Sequence, residues 1–251
     1  MSNLLRSELF KLRKDRSFRT LLAVLGVISL LYPLLIFYDD GTFSAAAVSV
    51  RDVFAGPAIG GDFYVLRMAP CVFAGFFISS EYAIGTMKTI GASGNGRLRI
   101  FWAKLTVFTL GTVVLAAVFP ILSTGICAFV TGFRDMPGVG EASRLLGLTL
   151  LFAAAFASIM ALCAIVLTDS GKTIGLLILF FILFDIIMTE LAKKFAWIAT
   201  LQEYSVLHLL DAIPAADAAS GMTARLILVP VATYAAFACL GGYVFRKKEI
   251  K

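Results

Sequence analysis

Long apolar runs, separated by short polar or glycine-containing stretches, dominate the chain. A helix needs roughly 20 apolar residues to cross about 30 Å of hydrocarbon, and six runs approach that length. They are 20–38, 63–80, 105–133, 145–168, 173–189 and 226–245. None alternates polar and apolar positions as barrel strands do, and a backbone in lipid must satisfy its hydrogen bonds internally. The pattern predicts an all-α polytopic membrane protein with six transmembrane helices.

The segment 3–16 precedes the first run and places Leu5, Leu9 and Leu12 at helical spacing among basic residues. This pattern is typical of an amphipathic helix that lies in the membrane interface and meets anionic headgroups. A basic tail that is merely solvated is the alternative.

A hairpin at 81–99 separates the second and third runs. Its first part suits a helix, glycines at 91, 94 and 96 interrupt it, and a basic, aromatic stretch follows. A loop that only joins two spans needs neither a helix nor an exposed Met87 and Ile90. We therefore expect a docking surface for a partner, while a plain connector stays the alternative.

The segment 190–225 is moderately apolar, but its runs are too short to cross. Such a segment enters the bilayer partway or caps a cavity, so we expect an outer, re-entrant loop. A contribution of Trp197 and Tyr204 to the interfacial aromatic belt is the simpler interpretation.

Composition supports burial in lipid: 60% of residues are hydrophobic and 15% are charged, and the mean hydropathy is +0.92. A soluble domain keeps roughly a quarter of its residues charged, so a soluble, disordered or nucleic-acid-binding chain is disfavoured. Fifteen of the 22 lysines and arginines fall on one side of the six predicted spans. For a multi-pass chain that forms one transmembrane domain over 1–251, that bias predicts that both termini lie in the cytoplasm.

Motifs for catalysis or metal binding are weak. The four cysteines lie in apolar runs without CxxC spacing, and His208 is the single histidine, so we expect no metal site and no catalytic group. The stretch 170–173, Ser-Gly-Lys-Thr, resembles the end of a phosphate-binding loop, but Val166 stands where the first glycine is needed. We interpret it as a turn and a helix start. Small residues four apart, as at 56–60 and 171–175, offer close helix packing.

Asp185 is the carboxylate deepest in a predicted span, where a charge costs several kcal/mol unless it is paired, hydrated or neutral. Arg67, near the outer end of the second span, is a candidate partner. A structural ion pair, a place in a substrate or proton pathway, and a misplaced span all stay open. The second of these would make the chain a proton- or ion-coupled secondary transporter.

The sequence from 77 to 88, Phe-Ile-Ser-Ser-Glu-Tyr-Ala-Ile-Gly-Thr-Met-Lys, followed by Arg97 and Lys104, resembles a segment of ABC-2-type permeases, the membrane subunits of ABC exporters. Within them the chain is similar to the branch associated with lantibiotic immunity, bacitracin resistance and toxic-peptide export. The order of the interfacial helix, six spans and hairpin is similar too.

The resemblance implies that the hairpin is a coupling helix bound by a separate ABC ATPase, with two ATPase copies serving a permease homodimer. ATP and Mg would lie on the ATPase, so the chain itself would be no enzyme and would need no cofactor. It would export amphipathic or antimicrobial peptides by alternating access across a bacterial cytoplasmic membrane, in contact with lipid and not with nucleic acid. The substrate pathway would include Asp185 and Arg67. The implied coupling residues are Glu81, Tyr82, Gly85, Thr86, Met87, Lys88, Arg97 and Arg99.

Overall fold

The structure is a computed structural model that describes residues 2–39, 50–51, 63–92, 94–131, 133, 136–213 and 220–248. Regular structure in these ranges is helical, without a strand, which confirms the predicted all-α class. The helices are α1 (Ser2–Lys14), α2 (Arg16–Asp39), α3 (63–83), α4 (Thr86–Ala92), α5 (Arg97–Thr131), α6 (Val139–Leu167), α7 (Ser170–Lys194), α8 (Ala196–Glu203), α9 (Val206–Asp211) and α10 (Ser220–Lys247).

Five of the described helices, α2, α5, α6, α7 and α10, are long and apolar enough to cross a membrane. The predicted span 63–80 falls in α3, which is continuous but assembled from short pieces. Wide π-helical turns at Phe63–Met68 and Gly75–Ser79 alternate with α-helical turns at Ala69–Ala74 and Ser80–Ala83. The chain is therefore a polytopic α-helical membrane protein, with α3 as its least regular long helix.

Helix α3 lies at the centre of the bundle and packs against α5, α6 and α7. Phe73 is fully buried, and its ring centroid lies 5.0 Å from those of Phe77 and Phe108. Aromatic pairs at this separation add to the free energy gained from burying their surface. Gly75 follows on α3, where a Cβ would lie 2.9 Å from the carbonyl oxygen of Ser170 at the start of α7. The absence of a side chain at this position lets the two helices approach.

The stretch 170–173 begins α7, as expected for a turn and a helix start. Asp169 caps the helix by accepting a hydrogen bond from the Lys172 N–H at 2.8 Å. The buried Thr173 hydroxyl lies 2.8 Å from that of Ser79, which also donates to the Ala164 carbonyl at 3.1 Å. Residues that would hold a phosphate in a nucleotide-binding loop instead join α3, α6 and α7.

The segment 190–225 contains the short helices α8 and α9, with residues 214–219 outside the described part. Trp197 on α8 is exposed, as is Tyr204, whose ring lies 5.1 Å from the Arg225 guanidinium. Helix α9 buries Leu207 and Leu210 against the bundle. That this segment enters the bilayer stays a prediction.

Candidate functional site

The hairpin reverses the chain through a tight turn at one end of the bundle. Helix α3 ends at Ala83, and Gly85 has a φ of +80°, a conformation that favours glycine. The Thr86 hydroxyl donates to the Glu81 carbonyl at 3.2 Å and closes the turn before α4 begins. The sequence of the turn therefore fixes its shape.

Ile84 forms the exposed tip of this turn, with 76% of its surface accessible. Thr86 and Lys88 beside it are also exposed. Met87 is only 1% exposed and belongs to the core, and Ile90 is half-buried against that core. The expectation that Met87 and Ile90 form the exposed surface is therefore wrong, because both lie on the face of α4 that packs on the bundle.

A group of four charged residues, three of them buried and Lys11 half-buried, lies directly behind the hairpin, and we call it the charge cluster. Its members are Glu8 and Lys11 of α1, Glu81 of α3 and Lys104 of α5. Glu81 accepts from both lysines, and the Lys104 ammonium also donates to Glu8 at 3.0 Å. Lys104 is 2% exposed and Glu81 is 6% exposed. The cluster thus joins three helices that are far apart in sequence.

Pairing explains why these charges are tolerated away from water. A buried ion is costly unless an opposite charge and hydrogen bonds compensate it, and here two lysines face two glutamates. Burial alone would raise the pKa of Glu81, but Lys104 and Lys11 together hold that pKa below its ordinary value. Burial, followed by the charge of Lys104, lowers the pKa of Lys11.

Lys11 makes two further contacts with α3. Its ammonium donates to the Phe77 carbonyl at 2.8 Å and lies 4.0 Å from the centroid of the Phe77 ring. Helix α1 is therefore bound to α3 through charge, a hydrogen bond and an aromatic face.

Replacing Glu81 by glutamine should remove a pH-dependent part of the stability. Because the folded pKa of Glu81 lies below 4.5, its contribution is complete above that pH and disappears as pH falls through the folded value. At neutral pH we expect Glu81→Gln to have a lower thermal midpoint than the wild type. As the pH falls, the wild-type midpoint should decrease towards that of Glu81→Gln, whose midpoint should depend less on pH. Unfolding monitored from about pH 7 to pH 3 measures this.

The exposed carboxylate of Glu203 provides the control for this experiment. Glu203→Gln should follow the wild-type curve throughout. A Glu81→Gln curve parallel to the wild type would contradict the assignment.

The remaining coupling residues named from sequence lie around the hairpin in different settings. Tyr82 is half-buried, and burial raises the pKa of its hydroxyl, with a smaller contribution from the charge of Glu81. Arg97 is exposed but donates to carbonyls at the end of α10, and Arg99 is exposed on the first turn of α5. Since Glu81 and Met87 point inward, their predicted part in coupling would be to position the hairpin and not to touch a partner.

The structure describes the side chain of one member of the predicted pathway pair, Arg67. Arg67 is buried, donates to the Leu207 carbonyl at 3.3 Å and lies 6.0 Å from the Phe156 ring centroid. Asp185 falls within α7, and its side chain lies outside the described part of the structure. Their role in a pathway stays a prediction.

Sequence reasoning did not find Ile84 or the α1 half of the charge cluster. It predicted an apolar face of α1 formed by Leu5, Leu9 and Leu12 in the membrane interface, and it did not predict that Glu8, 4% exposed, is buried against the protein. The available signal was the i, i+3 pair of Glu8 and Lys11, which lies on the same face as Leu12. An apolar pattern alone could not show that this face would receive charged partners.

Within the described ranges, no group of three or more histidine, cysteine, aspartate or glutamate side chains could hold a metal ion. The site consists of an exposed turn that is fixed to the bundle by charged side chains.

Apolar helices of membrane-crossing length, with charged side chains buried behind a turn at one end of the bundle, define a multi-pass α-helical membrane protein. The family model described as "ABC-2 family transporter protein" matches residues 4–186, which includes α1, the hairpin and the charge cluster. The chain belongs to the ABC-2 transporter family, and it is a transport subunit and not a catalytic one. A comparison with curated proteins gave no match.

Proposed function

We propose that the chain is the permease of an ATP-driven exporter in which a separate ABC ATPase binds the hairpin at Ile84. The observation that supports this most is the exposure of that large apolar side chain at the tip of the turn. ABC-2 permeases work with an ATPase subunit, so the kind of partner is the one the family uses. An exposed isoleucine flanked by Thr86 and Lys88 fits an apolar groove with polar edges.

Force on the tip would pass through α3 to four other helices together. Glu81 lies three residues before Ile84, and the charge cluster joins it to α1 and α5. Ser79, two residues before Glu81 in α3, bonds to α6 and lies within hydrogen-bond distance of Thr173 of α7. When two ATPase subunits close on ATP and Mg, a pair of identical permeases would pass from inward-open to outward-open.

This proposal includes an orientation and a cargo. The hairpin and both termini would lie on the cytoplasmic side of a bacterial cytoplasmic membrane, as the lysine and arginine distribution predicts. Amphipathic or antimicrobial peptides are the proposed cargo, on the strength of the sequence resemblance. Transport by alternating access would follow if the hairpin moved between one position in the inward-open state and another in the outward-open state.

An Ile84→Asp variant should lose the ATPase partner. A carboxylate at the tip would be buried without compensation in an apolar groove, so we expect the affinity for the ATPase to fall by roughly tenfold or more. The experiment compares the amount of ATPase that co-purifies with each variant and the MgATP hydrolysis of the isolated complexes.

Met136→Asp is the matched control, because it places the same charge on an exposed apolar residue of the predicted outer side. It should retain the ATPase. Equal retention by both variants would refute docking at Ile84. Transport that runs on a proton gradient without ATP, and stops in Asp185→Asn, would instead support the secondary-transporter alternative.

A further inference from the structure

We propose that Lys248, directly after α10, is a positioning residue that holds the base of the hairpin through contacts separate from those of the charge cluster. Its ammonium donates to the carbonyls of Ile165 and Val166, at 3.0 Å for the latter. These carbonyls belong to the last turn of α6, where helical partners are missing and a cation is favourable. Lys248 therefore caps a helix other than its own.

The same ammonium contacts the hairpin. It lies 5.3 Å from the centroid of the Tyr82 ring, within the range of a cation–π interaction. The Tyr82 hydroxyl is buried and has no hydrogen-bond partner in the described part of the chain. Tyr82 therefore meets Lys248 through its ring and not through its hydroxyl. Glu81 and Tyr82 are adjacent, yet one binds α1 and α5 while the other lies against Lys248.

A second set of bonds closes the arrangement. Arg97, at the start of α5, donates to the carbonyls of Arg246 at 3.1 Å and of Lys248 at 3.0 Å. The ends of α6 and α10 thus meet the end of α3 and the start of α5. We call the contacts of Lys248 and Arg97 the C-terminal junction.

The neighbouring Lys247 shows that this arrangement is specific to one lysine. Its ammonium lies 4.6 Å from the centroid of the Tyr243 ring, within its own helix. Lys247 is exposed, whereas Lys248 is half-buried and burial lowers the pKa of Lys248. The two positions carry the same side chain next to each other, and only Lys248 joins separate elements.

For the proposed ATPase coupling, on which this step rests, the junction would pre-organise the hairpin. A segment that is already ordered pays less conformational entropy when a partner binds it. Loss of the junction would leave the base of the hairpin, at the end of α3, held by the charge cluster alone. Because α4 follows that base directly, the hairpin would be less ordered, and the entropy of ordering it would be lost on docking.

Hydrogen exchange of the full chain in lipid nanodiscs tests the positioning step without any partner. We expect Lys248→Met to speed exchange of the amides in 86–92 by roughly tenfold, with the core amides of α6 unchanged. Lys247→Met should match the wild type, and Lys248→Arg should restore protection because a guanidinium can also donate to two carbonyls. Equal exchange in Lys248→Met and Lys247→Met would overturn the proposal.

The second measurement uses the ATPase that co-purifies with the wild-type chain. Lys248→Met should weaken ATPase binding by roughly tenfold while the KM for MgATP stays unchanged, since the nucleotide site lies on the other chain. If Lys248→Met exchanges faster but binds the ATPase as the wild type does, the role of Lys248 in coupling is overturned and its positioning role is kept.

A wild-type chain that binds no ATPase would refute the proposed function alone, because the exchange measurement still decides what Lys248 does. If Lys248→Met does not fold, Tyr82→Leu replaces it, since that change removes the ring and leaves the bonds of Lys248 to α6. Wild-type exchange in Tyr82→Leu would then overturn the proposal.

Discussion

Replacing Lys104 by methionine is expected to lower the free energy of unfolding by about 3–5 kcal/mol, the usual range for breaking a buried ion pair from one side. Lys104 is 2% exposed and bonds to Glu8 and Glu81. Lys11 would still bind Glu81, but Glu8 would lose the partner that compensates its charge. Thermal unfolding in detergent and the monodisperse fraction after purification measure the loss.

Two comparisons sharpen this prediction. Lys88→Met removes an exposed lysine of the hairpin and should change stability by less than about 0.5 kcal/mol. The double variant Lys104→Met/Glu8→Gln should lose about 1–3 kcal/mol less free energy of unfolding than the sum of the two single variants. The reason is that Glu8→Gln removes the carboxylate that Lys104→Met leaves uncompensated. Similar midpoints for Lys104→Met and Lys88→Met would contradict the buried cluster.

Alanine at Gly75 should destabilise the contact between α3 and α7. The added Cβ would lie 2.9 Å from the carbonyl oxygen of Ser170 and would also collide with the Ile174 side chain. A side chain can rotate away, but a backbone carbonyl at a helix start cannot move alone, so α7 would have to shift. Overpacking of this kind costs about 1–3 kcal/mol, to be read from the same unfolding measurement.

Gly175→Ala is the matched control, because nothing lies within 4 Å of a Cβ at that position. Alanine there should be neutral or stabilise by about 0.5–1 kcal/mol through helix propensity. If both alanine variants lower the midpoint equally, the close approach at Gly75 is not what holds the helices together.

These two glycines show what sequence could and could not predict. The spacing 171–175 suggested close packing, yet Gly175 is exposed and open, and Gly75 makes the close contact. The residues 56–60 lie outside the described part. Small residues at helical spacing are common in membrane chains, so their facing depends on how whole helices pack.

Helix positions were predictable to a large extent because lipid imposes a minimum apolar length. The span 63–80 was predicted as an ordinary helix, whereas α3 contains wide turns that the length of an apolar run cannot reveal. The helices also extend beyond the runs: α5 begins at Arg97 and not at 105, so Arg97 and Arg99 are in its first turn.

The place of the hairpin followed from its glycines, but the direction of its side chains did not. Glu81 points inward because Lys11 and Lys104 bind its carboxylate, and those residues lie 70 and 23 positions away in the sequence. The charge count placed Lys104 among the cytoplasmic cations, and such a count cannot show that this side chain is buried in the protein. Contacts between distant segments are set by tertiary packing, on which local patterns carry no information.

The charge cluster also imposes an order on biosynthesis. Helix α1 leaves the ribosome before α3 and α5, and the Lys104 partner of Glu8 is made 96 residues after it. Until α3 and α5 have been inserted, Glu8 and Lys11 must stay in water or among headgroups. The N-terminal helix therefore docks late, and its docking marks the moment at which the first half of the newly made chain is complete.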